Sequence, residues 1–200
     1  MSKVKETTDQ ELMLAVKQGE VGRLGALFDR HHDRIYRFCL RLTGDPAASE
    51  DLVQDIFMRV LKYRRTYRGD RDFLPWLYRL ARNATHDHFR RGARRRETGE
   101  EIPDRPSDEP TPWEGLEARE DARRMRRALL ELPVARREVL VLSRFEHRRY
   151  DEIAGLLGCS VGAVKVRVHR ALKQLRSIYL ELGDGSGDGL GRGLNSEATT

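Results

Sequence analysis

Three side chains with hydrogen-bonding ends share one face of a predicted helix near residue 50. Asp51, Gln54 and Asp55 stand at i, i+3 and i+4, a spacing that places them on the same side of an α-helix. This trio fits a solvated acidic surface or a docking site for a basic partner helix. A metal site on the two carboxylates is discounted, because no His or further acid is placed to complete the ligand set.

A basic segment with interleaved aromatic residues follows this helix. In the run KYRRTYRGDRDF, Tyr63 and Tyr67 alternate with arginines that include Arg68. Aromatic rings beside guanidinium groups suit single-stranded or flipped bases, because stacking and phosphate contact are then available together. The alternative is that the tyrosines and the nearby Trp76 are simply core residues.

The next predicted helix carries a polar face. Asn83, Asp87 and Arg90 stand at i, i+4 and i+7, so they lie on one side of that helix. Asn and Asp can read base edges while Arg holds a phosphate. An ordinary solvated helix face would have the same composition, so both interpretations stay open from these residues alone.

Residues 150–176 predict a helix-turn-helix. Residues 150–157 form a short helix, Gly158 suits a left-handed turn position, and Ser160 suits the N-cap of the second helix. Over residues 161–176 the second helix has five basic residues and no acid, which favours a DNA-reading helix over a plain helical hairpin. Its outward positions include Lys165, Arg167, His169 and Arg170.

The elements that would carry these residues all have helical periodicity. Apolar stripes with a 3.6-residue repeat run through residues 24–42, 52–61 and 73–91, and through the segment from residue 116 onward. Thr8 with Glu11 predicts a capping box. No alternating strand pattern is present, so the chain is predicted to be all-α. Phe28 is expected to face inward and His31 to lie at a helix surface.

Composition excludes several classes of protein. The 200 residues include 38 Lys or Arg, 32 Asp or Glu and only two cysteines, with a net charge of +6. Two cysteines cannot form a disulfide scaffold, and no Cys/His spacing resembles a zinc site. The polar N-terminus lacks a signal-peptide core, and no apolar stretch is long enough to span a membrane. We therefore expect a cytoplasmic protein without cofactors, metals or membrane insertion.

Charge divides the chain into two basic lobes and an acidic connection. Residues 61–96 hold twelve Lys or Arg and three Asp or Glu, whereas residues 97–121 hold two Arg and ten acids. The connection is rich in proline and is predicted to be a flexible linker. The predicted organisation, all-α with two small helical domains, is a first domain over 8–96, a linker over 97–117, a second domain over 118–180 and a disordered Gly-rich tail over 181–200.

The order of these parts resembles a known family. The segments EDLVQDIFMRVLKY, FLPWLYRLARNATHDHFRR and LPVARREVLVLSRFEHRRYDEIAGLLGCSVGAVKVRVHRALKQLR resemble regions 2.2, 2.3–2.4 and 4 of extracytoplasmic-function (group IV) sigma factors of the sigma-70 family. The resemblance covers residues 8–96 and 118–178. It implies a bundle for region 2, a helix-turn-helix for region 4, and a specificity subunit of RNA polymerase that has no catalytic residues of its own.

The resemblance also implies roles for individual residues. Docking on the clamp helices of the polymerase β′ subunit would use Asp51, Leu52, Gln54 and Asp55. Recognition of the −10 promoter element, with one flipped base, would use Tyr63, Tyr67, Arg68, Trp76, Asn83, Asp87 and Arg90. Recognition of the −35 element in the major groove would use Ser160, Lys165, Val166, Arg167, His169 and Arg170.

Further partners follow from the same resemblance. The polymerase core would be contacted at the β′ clamp helices and at the β flap, and many relatives are held inactive by an anti-sigma factor. Many members have Ser where this chain has Val166, and residues 147–149, HRR, replace a stretch that is usually small and polar. The promoter sequence therefore does not transfer from relatives.

Two other functions remain to be weighed against this one. A free-standing helix-turn-helix regulator would use the first lobe for dimerisation or sensing. A nuclease using Asp51 and Asp55 would need a nucleophile, a phosphate loop or a cluster of metal ligands, and the sequence supplies none of these.

Overall fold

A computed structural model of the protein describes residues 7–70, 72–98 and 116–184. This part of the chain is helical and contains no strand, which confirms the all-α prediction. Most of the predicted linker and of the predicted tail lies outside the described residues. We refer to residues 7–98 as the first lobe and to residues 116–184 as the second lobe.

The first lobe contains four α-helices. They are α1 (Asp9–Gln18), α2 (Leu24–Thr43), α3 (Pro46–Tyr63) and α4 (Phe73–Glu97), with short 3-10 turns at Val21–Arg23 and Arg64–Thr66.

The ends of these helices follow from local chemistry. The Thr8 hydroxyl accepts from the Glu11 amide at 3.2 Å and the Glu11 carboxylate accepts from the Thr8 amide at 2.7 Å, so the predicted capping box is present. Gly44 ends α2 in the left-handed conformation, at φ 74°. Asp45 then accepts from the Ala48 amide and begins α3.

The apolar stripes of the first-lobe helices pack together and form the core of this lobe. Ile35 and Phe38 of α2, Ile56 of α3, and Leu77 and Tyr78 of α4 are all fully buried. The Phe38 and Tyr78 rings meet edge to face, with 5.4 Å between their centroids. Burying such side chains at about 1.5–3 kcal/mol each gives a small bundle enough stabilisation to hold its surface residues in place.

Two positions on α2 depart from the sequence-based prediction. His31 was expected at the surface, but it is only 7% exposed, and its Nε2 lies 2.7 Å from Asp9 Oδ2. Phe28 was expected inside, but it is 37% exposed and stacks on His32, with 4.9 Å between the ring centroids. The docking of α1 explains the first difference, because α1 brings Asp9 over His31 and covers it.

The second lobe places a helix-turn-helix on a helical base. Helices α5 (Leu116–Glu131) and α6 (Val134–Leu140) are separated at Pro133, and a π-helical turn spans Val141–Phe145. Helices α7 (Tyr150–Leu157) and α8 (Val161–Asp184) follow, with Gly158 between them at φ 62°. This geometry confirms the predicted helix-turn-helix and its left-handed glycine.

The two lobes touch each other. Helix α2 contacts α5 and α6, and α4 contacts α7, so the second lobe rests on the first. The charge pattern of the sequence predicts two separate lobes and gives no sign of this contact. No helix in the described residues is long and apolar enough to cross a membrane.

The pair of Asp9 and His31 makes the stability of the bundle depend on pH. Burial by itself raises the pKa of Asp9, but hydrogen bonds with Arg30 and His31 outweigh it and leave that pKa below its ordinary value. The ionised carboxylate therefore stabilises the folded chain above the unfolded-state pKa of about 3.9. This contribution is lost as pH falls through the lower pKa of the folded state.

We expect Asp9→Asn to lower the free energy of unfolding at neutral pH, because it removes the ionised partner of Arg30 and His31. Urea unfolding of both proteins over a pH series measures the difference. That difference should shrink as the solution is acidified below about pH 4. A difference that stays constant with pH would contradict the assigned role of the charge.

Candidate nucleic-acid interface

The outer face of α3 displays the acidic trio. Asp51 and Gln54 are exposed, and Asp55 is partly exposed because its carboxylate pairs with Arg59, with 3.0 Å between Oδ2 and Nη2. Leu52, which was predicted to belong to this face, is 3% exposed and packs into the core. It therefore anchors α3 from the inner side and is not among the exposed residues of the face.

An apolar residue lies beside the trio. Met58 is one helical turn beyond Gln54 and is 63% exposed, the largest exposed fraction among the large hydrophobic side chains of the described residues. Met58 is not among the predicted site residues, although its position outside the inward stripe of α3 is a visible signal in the sequence. The face therefore combines carboxylates with an apolar contact point, which suits a protein partner.

The polar face of α4 borders a cavity of about 350 Å³. Tyr63 and Arg59 of α3 form one wall, and the other wall belongs to α4. Tyr63 is 40% exposed, and the Lys62 ammonium lies 5.4 Å from its ring centroid. The α4 residues at the cavity are Leu80, Arg82, Asn83, His86, Asp87 and Arg90.

Asp87 is the charged centre of this cavity. Its carboxylate accepts from Arg59 Nη1 at 2.9 Å and from Arg90 Nη2 at 2.8 Å. The Arg59 hydrogen bond is the main reason that the pKa of Asp87 lies below its ordinary value. Asp87 is thus ionised at neutral pH and can only accept hydrogen bonds, which suits an exocyclic amino group of cytosine or adenine. Asn83, one turn earlier, is exposed and offers both a donor and an acceptor.

The remaining residues of the predicted −10 set lie in different environments. Tyr67 is 1% exposed and packs edge to face on Trp76, with 5.4 Å between the ring centroids. The structure thus places Tyr67 in the core of the lobe, and a base cannot stack on it without rearrangement. Trp76 is partly buried and Arg68 is exposed. Tyr63 is the tyrosine of this segment that offers an accessible ring.

Helix α8 presents its basic side to solvent. Val164, Val168 and Ala171 are buried against the base of the second lobe, which turns the intervening residues outward. Ser160 accepts from the Ala163 amide at 3.1 Å and so caps the helix. The exposed positions include Lys165, Val166, Arg167, His169 and Arg170. Together with Ser160 these residues are the predicted −35 set, arranged on one helix that fits a major groove.

Each lobe of the chain matches a known protein-family model. Residues 27–95 match the family model for sigma-70 region 2, and residues 122–175 match the model for sigma-70 region 4. The RNA polymerase sigma factor CarQ of Myxococcus xanthus is 33% identical over 162 residues, which cover 78% of this chain and 88% of CarQ. The chain belongs to the sigma-70 family. The extracytoplasmic-function sigma factor SigL of Mycobacterium tuberculosis is 34% identical over 166 residues, which cover 82% of this chain and 93% of SigL. Within its family the chain is therefore an extracytoplasmic-function RNA polymerase sigma factor.

Other relatives carry the same family description. The extracytoplasmic-function sigma factor SigE of Mycolicibacterium smegmatis is 36% identical over 152 residues, and this sigma factor spans 59% of its length. SigW of Bacillus subtilis is 29% identical over 176 residues, covering 84% of this chain and 94% of SigW.

Solved structures share the fold of this sigma factor. The sigma factor RpoE in complex with the anti-sigma factor NepR, from Bartonella quintana, superposes with a TM-score of 0.67 at 23% identity, covering 77% of this chain and 94% of RpoE. CnrH in complex with the cytosolic domain of CnrY superposes with a TM-score of 0.63 at 25% identity, covering 86% of this chain and 97% of CnrH.

We expect Arg59→Ala to raise the pKa of Asp87, because the Arg59 hydrogen bond is the largest influence holding that pKa down. Carboxyl NMR titration of the purified sigma factor measures the shift. Arg91→Ala is the control, since Arg91 acts on Asp87 only through a weaker Coulombic interaction and should shift its pKa less. Equal shifts in the two variants would contradict the assignment to Arg59.

Proposed function

We propose that this sigma factor docks on core RNA polymerase through the first lobe and reads promoter DNA through both lobes. The observation that carries the proposal is that an exposed acidic face on α3 and an exposed basic recognition helix α8 occur in one chain. The chain would supply promoter specificity, whereas the polymerase would supply catalysis. Its place of action would be the cytoplasm, where the polymerase works.

Docking would use the α3 face against a basic helical surface of the polymerase, the β′ clamp helices. Asp51, Gln54 and Asp55 supply acceptors, and the exposed Met58 supplies an apolar centre. A mixed surface of this kind favours a specific protein partner over nonspecific attraction, because the carboxylates select charge and the thioether adapts to shape.

Reading of the −10 element would use the cavity between α3 and α4. Asn83 and Asp87 offer hydrogen bonds to base edges, and Tyr63 offers a ring for stacking on a flipped base. Arg68 and Arg90 would contact phosphates. Trp76 would pack against the inner side of the segment that carries Tyr67 and Arg68. Tyr67 would act as a core residue that holds this segment against α4.

Reading of the −35 element would use α8. Lys165, Arg167, His169 and Arg170 can donate to base edges or phosphates, and Ser160 lies at the N-terminal end of the helix, where phosphate contacts are common. Val166 is 49% exposed and has only methyl groups at its tip. At this position we propose apolar contact with a thymine methyl group in place of a hydrogen bond.

We also propose regulation by an anti-sigma factor, because the solved relatives RpoE and CnrH were captured with the partners NepR and CnrY. The domain division would follow residues 8–96 and 118–180. A free-standing regulator is not favoured, since sigma-70 family models match both lobes, region 2 in the first lobe and region 4 in the second.

The docking proposal predicts that charge reversal on α3 blocks assembly with the polymerase. The double variant Asp51→Arg with Asp55→Arg should lose binding to core polymerase in a pull-down assay, and transcription in vitro should fall with it. Like charges would then meet across the interface. Circular dichroism should show an unchanged helical content.

The matched control is Asp29→Arg with Asp33→Arg. This pair has the same i, i+4 spacing on the exposed side of α2, and it should retain assembly. Assembly by the α3 variant would contradict the docking proposal. Tight, sequence-specific promoter binding by the chain without polymerase would favour the free-standing regulator.

The −35 proposal predicts a sequence-dependent cost for Arg167→Ala. If Arg167 reads a base edge, holoenzyme affinity for the preferred −35 sequence should fall by about 1–3 kcal/mol, or roughly five- to 150-fold. Arg176→Ala removes the same charge about two and a half turns further along α8 and should cost less. An equal loss on every DNA sequence would identify Arg167 as a phosphate contact instead.

A further inference from the structure

Helix α1 lies against the segment that joins α3 to α4, which we call the connecting segment, residues 64–70. The Lys17 ammonium donates a hydrogen bond to the Tyr67 carbonyl, with 2.7 Å between the two atoms. The Gln10 side-chain amide donates to Oδ1 of Asp72, which directly precedes α4, at 2.9 Å. These pairs are 50 and 62 positions apart in the chain, so both are tertiary contacts.

A glycine brings the connecting segment close to α1 between the two hydrogen bonds. A Cβ atom added to Gly69 would lie 2.8 Å from one methyl carbon of Leu14 and 3.2 Å from the other. Side chains essentially never pack that closely, so any residue larger than glycine would have to move the Leu14 side chain. Glycine thus lets the backbone of the segment approach α1.

The three contacts follow one side of α1 in order. Gln10, Leu14 and Lys17 stand at i, i+4 and i+7, the spacing of a single helix face. Their partners occur in the reverse order along the chain, so this stretch runs antiparallel to α1 over about 10 Å. An ordered series of contacts along one face fixes the register of the segment, which a single contact could not do.

A different side of α1 packs into the bundle. Leu12, Met13 and Val16 are buried in the core of the first lobe, whereas the three side chains that meet the connecting segment are partly exposed. Asp9 pairs with α2 at the first turn of α1. The hydrogen bonds to the segment can therefore be removed without disturbing the packing that folds α1 onto the bundle.

Tyr67 fixes the connecting segment from the inner side. Its ring is 1% exposed, and its centroid lies 5.4 Å from that of Trp76 and 6.2 Å from that of Phe73. Its carbonyl accepts from Lys17, so one residue holds the segment between the core and α1. Arg68 comes next in the chain and is exposed. The place at which Arg68 leaves the surface therefore depends on how Tyr67 is held.

We propose that α1 positions the surface that reads the −10 element, with Gln10 and Lys17 as positioning residues. The match to sigma-70 region 2 begins at residue 27, so it includes no part of α1 and assigns that helix no role. The inference rests on the proposed function, which supplies the −10 element as the ligand.

The connecting segment acts through the phosphate contact of Arg68. Phosphate contacts fix the register of a strand on a protein, and base contacts in the cavity between α3 and α4 then read its sequence. A fixed Arg68 presents the correct base to Asn83 and Asp87, whereas a mobile surface would adjust to wrong bases as well. Ordering the segment before DNA arrives also lowers the entropic cost of binding.

The test compares a release variant with a matched control. The release variant is Gln10→Ala with Lys17→Met, which removes both hydrogen bonds and retains an unbranched side chain at position 17. The control is Gln18→Ala with Arg23→Met, two exposed residues at and just beyond the end of α1. Both variants lose one positive charge, so general attraction to DNA is matched. Lys17→Arg is the conservative variant, because a guanidinium can still donate to the Tyr67 carbonyl.

NMR relaxation of the purified full chain measures the connecting segment without DNA. Backbone order parameters of residues 67–70 should fall from the rigid range near about 0.85 to below about 0.6 in the release variant, and stay high in the control. Those of α2 and α3 should not change. Unchanged values at residues 67–70 would overturn the proposal. An equal fall across α2 and α3 would overturn it too, because the contacts would then be a general part of the fold.

Binding of promoter DNA by the holoenzyme measures the consequence for reading. The probe is the duplex that wild-type holoenzyme selects from a library randomised over both promoter elements. Each single base-pair change in its −10 element should cost the wild type roughly five- to 150-fold in affinity. In the release variant this −10 penalty should fall by about threefold or more, while the penalty for −35 changes stays the same. Lys17→Arg should keep both penalties.

These ratios separate positioning from general stability. A purely structural role would lower the amount of active holoenzyme and leave the −10 penalty unchanged, which would overturn the proposal, as would equal losses at both elements. Lys17→Met alone covers the case in which the release variant fails to fold. It removes one hydrogen bond and should change both measurements in the same direction by a smaller amount. No change in either would count against the role of α1.

Failure of the proposed function has a different signature. If wild-type holoenzyme selected no common duplex from the library, the proposal that this sigma factor reads promoter DNA would be wrong, irrespective of the order parameters. If the wild type discriminates at the −10 element and the release variant discriminates equally well, the proposed function stands and the positioning role of α1 is overturned.

Discussion

The structure depends on α2, which packs into the core of the first lobe and also contacts the second lobe. One side of this helix buries Leu27, Ile35 and Phe38 against the other helices of the first lobe. Arg34 and Arg41 emerge elsewhere on the same helix and meet the second lobe. The 3.6-residue period of the helix fixes the direction in which each side chain points. Burial of the apolar face in the core therefore also directs Arg34 and Arg41 towards Glu146.

Buried charge distinguishes the contact between the lobes from the cores within them. Arg137 is 7% exposed, and its guanidinium donates to the backbone carbonyls of Leu42, Leu130 and Leu132. Burial lowers the pKa of Arg137 to about 10. The Leu42 carbonyl belongs to the first lobe, so one buried cation joins the end of α2 to the second lobe. Desolvated charge of this kind holds a defined geometry while adding little net stability.

Much of this architecture could be predicted from the sequence because it follows from local chemistry. The capping box at Thr8, the glycine at 158 and the outward basic residues of α8 all depend on neighbours within a few positions. Tyr67 and His31 could not be placed in this way. An aromatic ring among arginines fits a surface or a core equally well, and the burial of His31 depends on α1, which folds over it from 22 residues away.

The contact between the lobes is even less predictable from the sequence than the burial of His31. Tyr78 and Glu146 are 68 positions apart, and His86 and Glu138 are 52 apart. Residues 136–149 contain Glu138, Glu146 and five arginines, so charge patterning alone predicts that the two carboxylates are solvated or form local ion pairs. Only the packed arrangement shows that these carboxylates find their cations on the other lobe.

The two surfaces that we propose to contact DNA differ in how their charged groups are paired, and that difference has consequences for specificity. Asp87 already pairs with Arg59 and Arg90, so a base must compete with two existing ion pairs to engage it. A base that cannot donate to the carboxylate would not compensate for any ion pair that it displaces, so selection would come from this penalty as well as from attraction. Residues 161–176 contain no acid, so α8 would meet DNA with cations that have no carboxylate neighbour within this part of the helix. Binding by α8 should therefore depend more steeply on salt, while α4 contributes more of its energy as discrimination between bases.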